Sequence, residues 1–103
     1  MEPNYFDDAA ATWDNEPRRI AMMKVVGEAI LREARPTKEM DALDYGCGTG
    51  LVGLFILPHV RSVTGADSSS AMLDVLRKKI TESGVGNMSA IGLDLQHDPL
   101  PAE

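Results

Sequence analysis

A chain of 103 residues with one cysteine, Cys47, cannot close an intrachain disulfide. Long apolar runs are missing too: none approaches the ~20 residues that a helix needs to cross a bilayer. Basic clusters are scarce, the longest being Arg77-Lys78-Lys79 on a predicted helix, and the formal net charge is −6. That balance lacks the electrostatic footprint of a protein that binds nucleic acid or an anionic membrane. The opening Met1-Glu2-Pro3-Asn4 is acidic and leads into no apolar segment of a secretory signal. Repeats and low-complexity tracts are absent, and His59 and His97 lack the spacing of metal ligands, so no metal is expected. What remains, 44% apolar and 25% charged, is the composition expected of a soluble cytoplasmic α/β protein.

Helical and strand patterns alternate after a helical lead, the order of a parallel sheet with crossover helices. Residues 5–14 are compatible with a helix, which Asn15-Glu16-Pro17 interrupts. Pro17 suits the first turn of a second helix running to about residue 34. Ile20, Met23, Val26 and Ile30 lie on one face of it and Pro36 beyond its end. Strands are predicted at 41–45, 62–66 and 88–93. The helix between the first two should be short, because Pro58 disfavours helical geometry at Leu57. Ser68-Ser69-Ser70 offers N-cap hydroxyls to a helix over about 70–82, where Met72, Leu76 and Ile80 stack with Leu73 beside them. Gly84-Val85-Gly86-Asn87 then turns the chain into the third strand.

The densest chemical signal is Leu43-Asp44-Tyr45-Gly46-Cys47-Gly48-Thr49-Gly50, an apolar strand that ends in an acid and three alternating glycines. Glycine has no Cβ and tolerates positive φ, so such a loop brings bare backbone against a ligand. The apolar run from Leu51 to Leu57 can then start a buried helix, whose free N–H groups would face an anionic part of that ligand. Two spacings overlap here. Gly46-x-Gly48-x-Gly50 fits a nucleoside-binding turn, while Gly48-x-Gly50-x-x-Gly53 fits the dinucleotide fingerprint, with Asp67 as its ribose acid. Asp44 weighs on the choice, because a carboxylate at the strand tip repels a pyrophosphate at short range. S-adenosylmethionine poses the opposite demand: its α-ammonium and sulfonium suit the acid and its carboxylate suits the helix start.

Val63-Thr64-Gly65-Ala66-Asp67 places a second acid at a strand end, suited to accept from two ribose hydroxyls and to exclude a 2′-phosphate. Met88-Ser89-Ala90-Ile91-Gly92-Leu93 closes on a third, Asp94, placed to accept from an adenine amino group. In a parallel sheet all three acids collect at the carboxyl edge, where open α/β sheets bind ligands.

With these residues in hand, the chain resembles the N-terminal half of a class I S-adenosylmethionine-dependent methyltransferase of the small-molecule type. The likeness covers roughly residues 40–95 and rests on Asp44 to Gly50 together with Asp67 and Asp94. It implies an incomplete Rossmann-like doubly wound sheet of three parallel strands, in the order 3-2-1, with flanking helices. Residues 1–37 are the helical lead and 38–103 the cofactor-binding half of a truncated domain, since a full domain of this kind is nearer ~200 residues. It further implies that Asp44, Gly46, Cys47, Gly48 and Gly50 hold the methionine portion of S-adenosylmethionine, and that Asp67 holds the ribose. Asp94 and Leu95 would hold the adenine, with Ser68 and Met72 also at the cofactor. The segment from Tyr5 to Trp13 resembles the helical lead that closes over the cofactor in small-molecule members.

Methyl transfer from a sulfonium needs an aligned nucleophile more than a protein acid or base, because the leaving thioether is neutral. These residues therefore bind rather than catalyse, and a general base, if used, is expected beyond residue 103, leaving this piece inactive alone. The expected substrate is a small-molecule methyl acceptor, and the unpaired edge of the first strand is expected to promote self-association. An NAD-dependent oxidoreductase half and a non-catalytic binding domain remain the alternatives. Plainer roles stand beside these. The glycines can serve a tight turn, Asp67 a helix cap, Asp94 a turn with Gln96 and Asp98, Cys47 small-residue packing, and Tyr5 and Trp13 helix anchoring.

Overall fold

The structure, a computed structural model, describes residues 3–94; Leu95, Gln96, His97 and Asp98 lie outside the described residues. The lead forms helix α1 (Pro3–Ala9), which tightens into a 3₁₀ segment over Ala10–Asn15. Helix α2 (Pro17–Ala34) starts where expected, with Pro17 in the first turn and Glu16 as N-cap accepting from the backbone N–H of Arg18. It ends on Arg35, whose φ of +48° closes the helix in the left-handed conformation just before Pro36.

Strands β1 (Asp41–Tyr45), β2 (Ser62–Asp67) and β3 (Met88–Gly92) form one parallel sheet in which β2 is central. Leu43 pairs with Thr64 and Thr64 with Ser89, so the strand ends Tyr45, Asp67 and Gly92 fall along one edge. Helix α3 (Leu51–Ile56) links the first two strands and α4 (Ser70–Ser83) the second two. Helix α3 is short, six residues, as expected, but Pro58 does not take Leu57 out of helical geometry. Leu57 keeps helical angles (φ −48°, ψ −41°) and opens a 3₁₀ turn through His59, because Pro58 falls in its first turn, where no N–H is needed.

Ser69 caps α4 by accepting from Met72 N at 3.2 Å, and Gly84, at φ +72°, ends it. The anticipated stripe is inside: Met72, Leu73 and Leu76 are buried and Ile80 packs against the core with Ile56, Leu57, Val60, Val63 and Met88. Full burial of a side chain such as Leu76 contributes about 1.5–3 kcal/mol, which makes α4 the main clamp on β2 and β3. Helix α2 is seated differently from its predicted stripe. Met23 and Ile30 are half-buried, whereas Ile20 and Val26 are exposed. Its one buried residue is Gly27, which lies so close to the Phe55 ring of α3 that any side chain there would collide with it. Within β1, Leu43 and Tyr45 are about half exposed. Among the described residues no helix is long and apolar enough to cross a membrane.

Candidate functional site

The loop after β1 is a bend of bare backbone. Gly46, Gly48 and Gly50 adopt φ of +74°, +56° and +85°, a region that L side chains rarely enter. The N–H groups of Gly46 and Cys47 both donate to the Ala66 carbonyl, at 2.7 and 3.0 Å, and Gly50 N donates to the Cys47 carbonyl at 2.9 Å. A Cβ on Gly46 would stand in open space, whereas one on Gly50 would strike Leu76. Gly46 thus faces outward and Gly50 is pressed against α4.

Asp67, at the end of β2, holds this bend in place. Its Oδ2 accepts from Gly48 N at 2.9 Å and its Oδ1 from Ser69 N at 2.8 Å, so one carboxylate fixes both the glycine loop and the turn into α4. The capping and ligand roles coexist, since each carboxylate oxygen has a second lone pair. Leu93 N donates to the Asp67 carbonyl at 3.0 Å, which brings the end of β3, and with it half-buried Asp94, to the same edge.

Asp44 is half-buried at the tip of β1. Burial, and then the charge of Asp67, raise its carboxyl above the ordinary aspartate range. The Cys47 thiol is pushed up to about 12 by burial and by the charges of Asp44 and Asp67, so it stays protonated and unreactive at neutral pH. A site where negative groups disfavour one another is complementary to a cation. It fits the ammonium end of an amino acid and opposes a diphosphate.

Other expected site residues are placed as follows. Ser68 is exposed in the β2–α4 turn. Met72 is 1% exposed, beneath the loop, with its sulfur 3.8 Å from where a Gly48 Cβ would be. Leu95 lies outside the described residues. The third glycine of the dinucleotide spacing, Gly53, is wedged against Met88, Val63 and the Asp44 carboxylate, so close helix packing favours a glycine there whatever the ligand. Helix α3 has only six residues and therefore offers a weaker dipole than the apolar run promised.

The lead contributes more than the sequence indicated. Thr49 Oγ1 donates to Asp14 Oδ1 at 2.5 Å, and Lys79 Nζ lies 2.7 Å from Asp14 Oδ2. Ser69 Oγ donates to Asp7 Oδ1 at 2.6 Å. Two acids of the lead thus grip the glycine loop and the start of α4. The open cleft beside the loop, about 440 Å³, is walled by Trp13, Arg19, Met23 and Val26 as well as by Asp44 and Cys47. The likeness of the segment from Tyr5 to Trp13 to a lead that closes over the cofactor points to this region, whereas the roles of Asp7 and Asp14 leave only their seven-residue spacing, which is uninformative by itself.

Residues 42–103 match the methyltransferase domain family. An uncharacterised methyltransferase of Bacillus subtilis, YodH, is 30% identical over 76 residues, covering 74% of this chain and 32% of the relative. The aklanonic acid methyltransferase DauC of a Streptomyces species is 28% identical over 100 residues, covering 94% and 44%. In the solved YcgJ protein of B. subtilis the likeness has a TM-score of 0.67 at 27% identity, over 73% of this chain and 32% of that one. The chain thus spans about a third of the first curated relative's length.

Because folding raises the Asp44 carboxyl, it favours the protonated form. The ionised group therefore costs stability at neutral pH, and that cost vanishes below the unfolded-state aspartate value. Asp44→Asn should accordingly melt at a higher temperature than the wild type at pH 7. The gap should narrow as pH falls through the raised value toward the ordinary one. Thermal denaturation followed by circular dichroism across pH 3–8 checks this; equal melting at pH 7 would contradict the assigned burial and repulsion.

Proposed function

Since the chain belongs to the methyltransferase domain family, in the class I S-adenosylmethionine-dependent group, we propose that it forms the S-adenosylmethionine-binding part of an enzyme that methylates a small molecule by direct displacement. The observation that carries this reading is a half-buried carboxylate, Asp44, beside a bend of three left-handed glycines. When bound, S-adenosylmethionine would supply an activated methyl group on a sulfonium with a neutral leaving group. Everything else required of these residues is binding and alignment.

In this reading Asp44 receives the ammonium of the methionine tail, and the outward face of Gly46 to Gly48 lets the tail lie on backbone. Asp67 uses its remaining lone pairs for the ribose hydroxyls, and Asp94 meets the adenine. The relative named for aklanonic acid supports a small acceptor. The acidic, cysteine-poor composition supports a cytoplasmic location. The alternative NAD reading draws no special support from Gly53, whose packing role is independent of ligand, and it has to place a diphosphate beside Asp44 and Asp67. Among the described residues the outer edge of β1 has no strand beside it, and as part of the same proposal this edge, whose Leu43 and Tyr45 are half-exposed, recruits a second copy.

Titration calorimetry tests the ligand directly: heat with S-adenosylhomocysteine and none with NAD is expected, and the reverse would remove the reading. Sedimentation at rising concentration should show a growing dimer fraction; a monomer throughout would refute recruitment at the β1 edge.

A further inference from the structure

In the S-adenosyl reading the cofactor's tail uses one wall of the cleft, formed by Asp44 and the glycine bend. Another wall is α2, whose composition is unusual for a helix open to water. Ile20, Met22, Val25 and Val26 are all exposed, Met22 by 61%, and Gly27 is the only residue of the helix that is buried. Met22, Met23 and Val26 line the cleft, as do Leu51 and Val52 of α3. Apolar side chains gathered at a cleft mark a surface that a ligand or a partner covers.

The same wall carries the cleft's cations. The charged residues that line it are Arg18, Arg19 and Asp44, a positive excess in a chain whose formal net charge is −6. Arg19 is occupied: its guanidinium carbon lies 3.6 Å from the centroid of the Trp13 ring, and its Nη1 donates to the Trp13 carbonyl at 3.5 Å. Arg18 has no such partner. Among the described residues its guanidinium enters no ion pair and no hydrogen bond, and Glu16 accepts only from its backbone N–H, at 3.4 Å. The helix gains nothing from it either, since a cation in the first turn opposes the dipole and that turn holds no acid. Arg18, Met22 and Val26 follow at intervals of four, so the unpaired cation and the apolar strip share one helical face.

Resting on the S-adenosyl reading, we propose that the α2 wall receives the methyl acceptor and that this acceptor is an apolar organic acid, its body lying along Met22 and Val26 and its acid group paired with Arg18. A guanidinium offers a fork of donors that a carboxylate matches at both oxygens, and methionine side chains adapt to flat rings of different outline. Charge therefore decides selection more than outline does, and an acid is preferred over the corresponding amide.

The test follows the methionine methyl groups by NMR in the full chain, held at saturating S-adenosylhomocysteine and titrated with 2-naphthoate or its neutral counterpart 2-naphthamide. Wild type, Arg18→Gln and Lys24→Gln are compared, each checked for an unchanged melting profile; Lys24 is an exposed cation of the same helix that does not line the cleft. The Met22 and Met23 methyls should shift, while that of Met88, in the core, stays in place. Naphthoate should bind about three to ten times more tightly than naphthamide, as suits an ion pair partly open to water. Arg18→Gln should remove that preference and leave naphthamide affinity unchanged, and Lys24→Gln should keep it. Equal affinity for the two probes overturns the assignment, as does a preference that survives Arg18→Gln or is lost with Lys24→Gln too. Naphthoate expelling S-adenosylhomocysteine would also overturn it, and Met22 shifts that follow protein concentration alone would give the wall to a second copy instead. Failure of S-adenosylhomocysteine to bind the wild type would remove the reading on which the acceptor role rests.

Discussion

The bond from Gly48 N–H to the Asp67 carboxylate, across 19 residues of sequence, is the contact on which the site depends. Three glycines in left-handed geometry within five residues are entropically costly to order, and the bend they make has few side chains of its own to pack. Parallel pairing delivers the end of β2 beside the end of β1, which puts an acceptor within reach of the loop's inward N–H groups. The same carboxylate orders Ser69 and so the start of α4. Its charge then adds to burial in raising the Asp44 carboxyl, so the group that fixes the backbone also acts on an acid of the cavity wall.

A second set of polar contacts ties the lead to this centre. Of the ion pairs among the described residues, four join side chains that are half exposed or more, where such pairs contribute ~0–1 kcal/mol. The pair between Lys79 and Asp14 is different, with the two side chains 24% and 30% exposed and Thr49 bonded to the same carboxylate. Asp7 does the corresponding work at Ser69. Because Thr49 sits in the glycine bend and Ser69 follows Asp67, the lead is attached where the proposed ligand would lie. Its Trp13 and Arg19 therefore reach a site formed mainly by residues 44 to 94.

Local signals in the sequence were enough for most of the fold. Alternating glycines after Asp44, Pro17 at a helix start, Gly84 at a helix end and the Met72, Leu76, Ile80 stripe each act within a few residues, and each element lies where those signals place it. The seating of α2 was not legible, because it is decided by Gly27 meeting Phe55, a contact between helices that no periodicity records. Pro58 marks the short α3 correctly but not the helical angles of Leu57, because a proline in the first turn of a 3₁₀ segment is compatible with continuing the chain. Asp44 and Asp67 stand at the strand ends where the sequence places them, whereas the contacts of Asp7, Asp14 and Arg19 were not legible. Their partners stand 62, 35 and 6 residues away, and an isolated acid or arginine on a polar helix reads as a solvated surface. Met72, which family likeness places at the cofactor, is buried under the loop, where its own helix stripe also puts it.

If the half-buried Asp44 carboxyl receives a cationic tail, as proposed, the titration of that carboxyl reports on it most directly. Side-chain NMR of Asp44 should find a raised pKa in the free protein that drops when S-adenosylhomocysteine is added. It should barely move with 5′-methylthioadenosine, which has no amino-acid tail. An Asp44 titration unaffected by bound S-adenosylhomocysteine, or shifted equally by the tail-less nucleoside, would contradict the account.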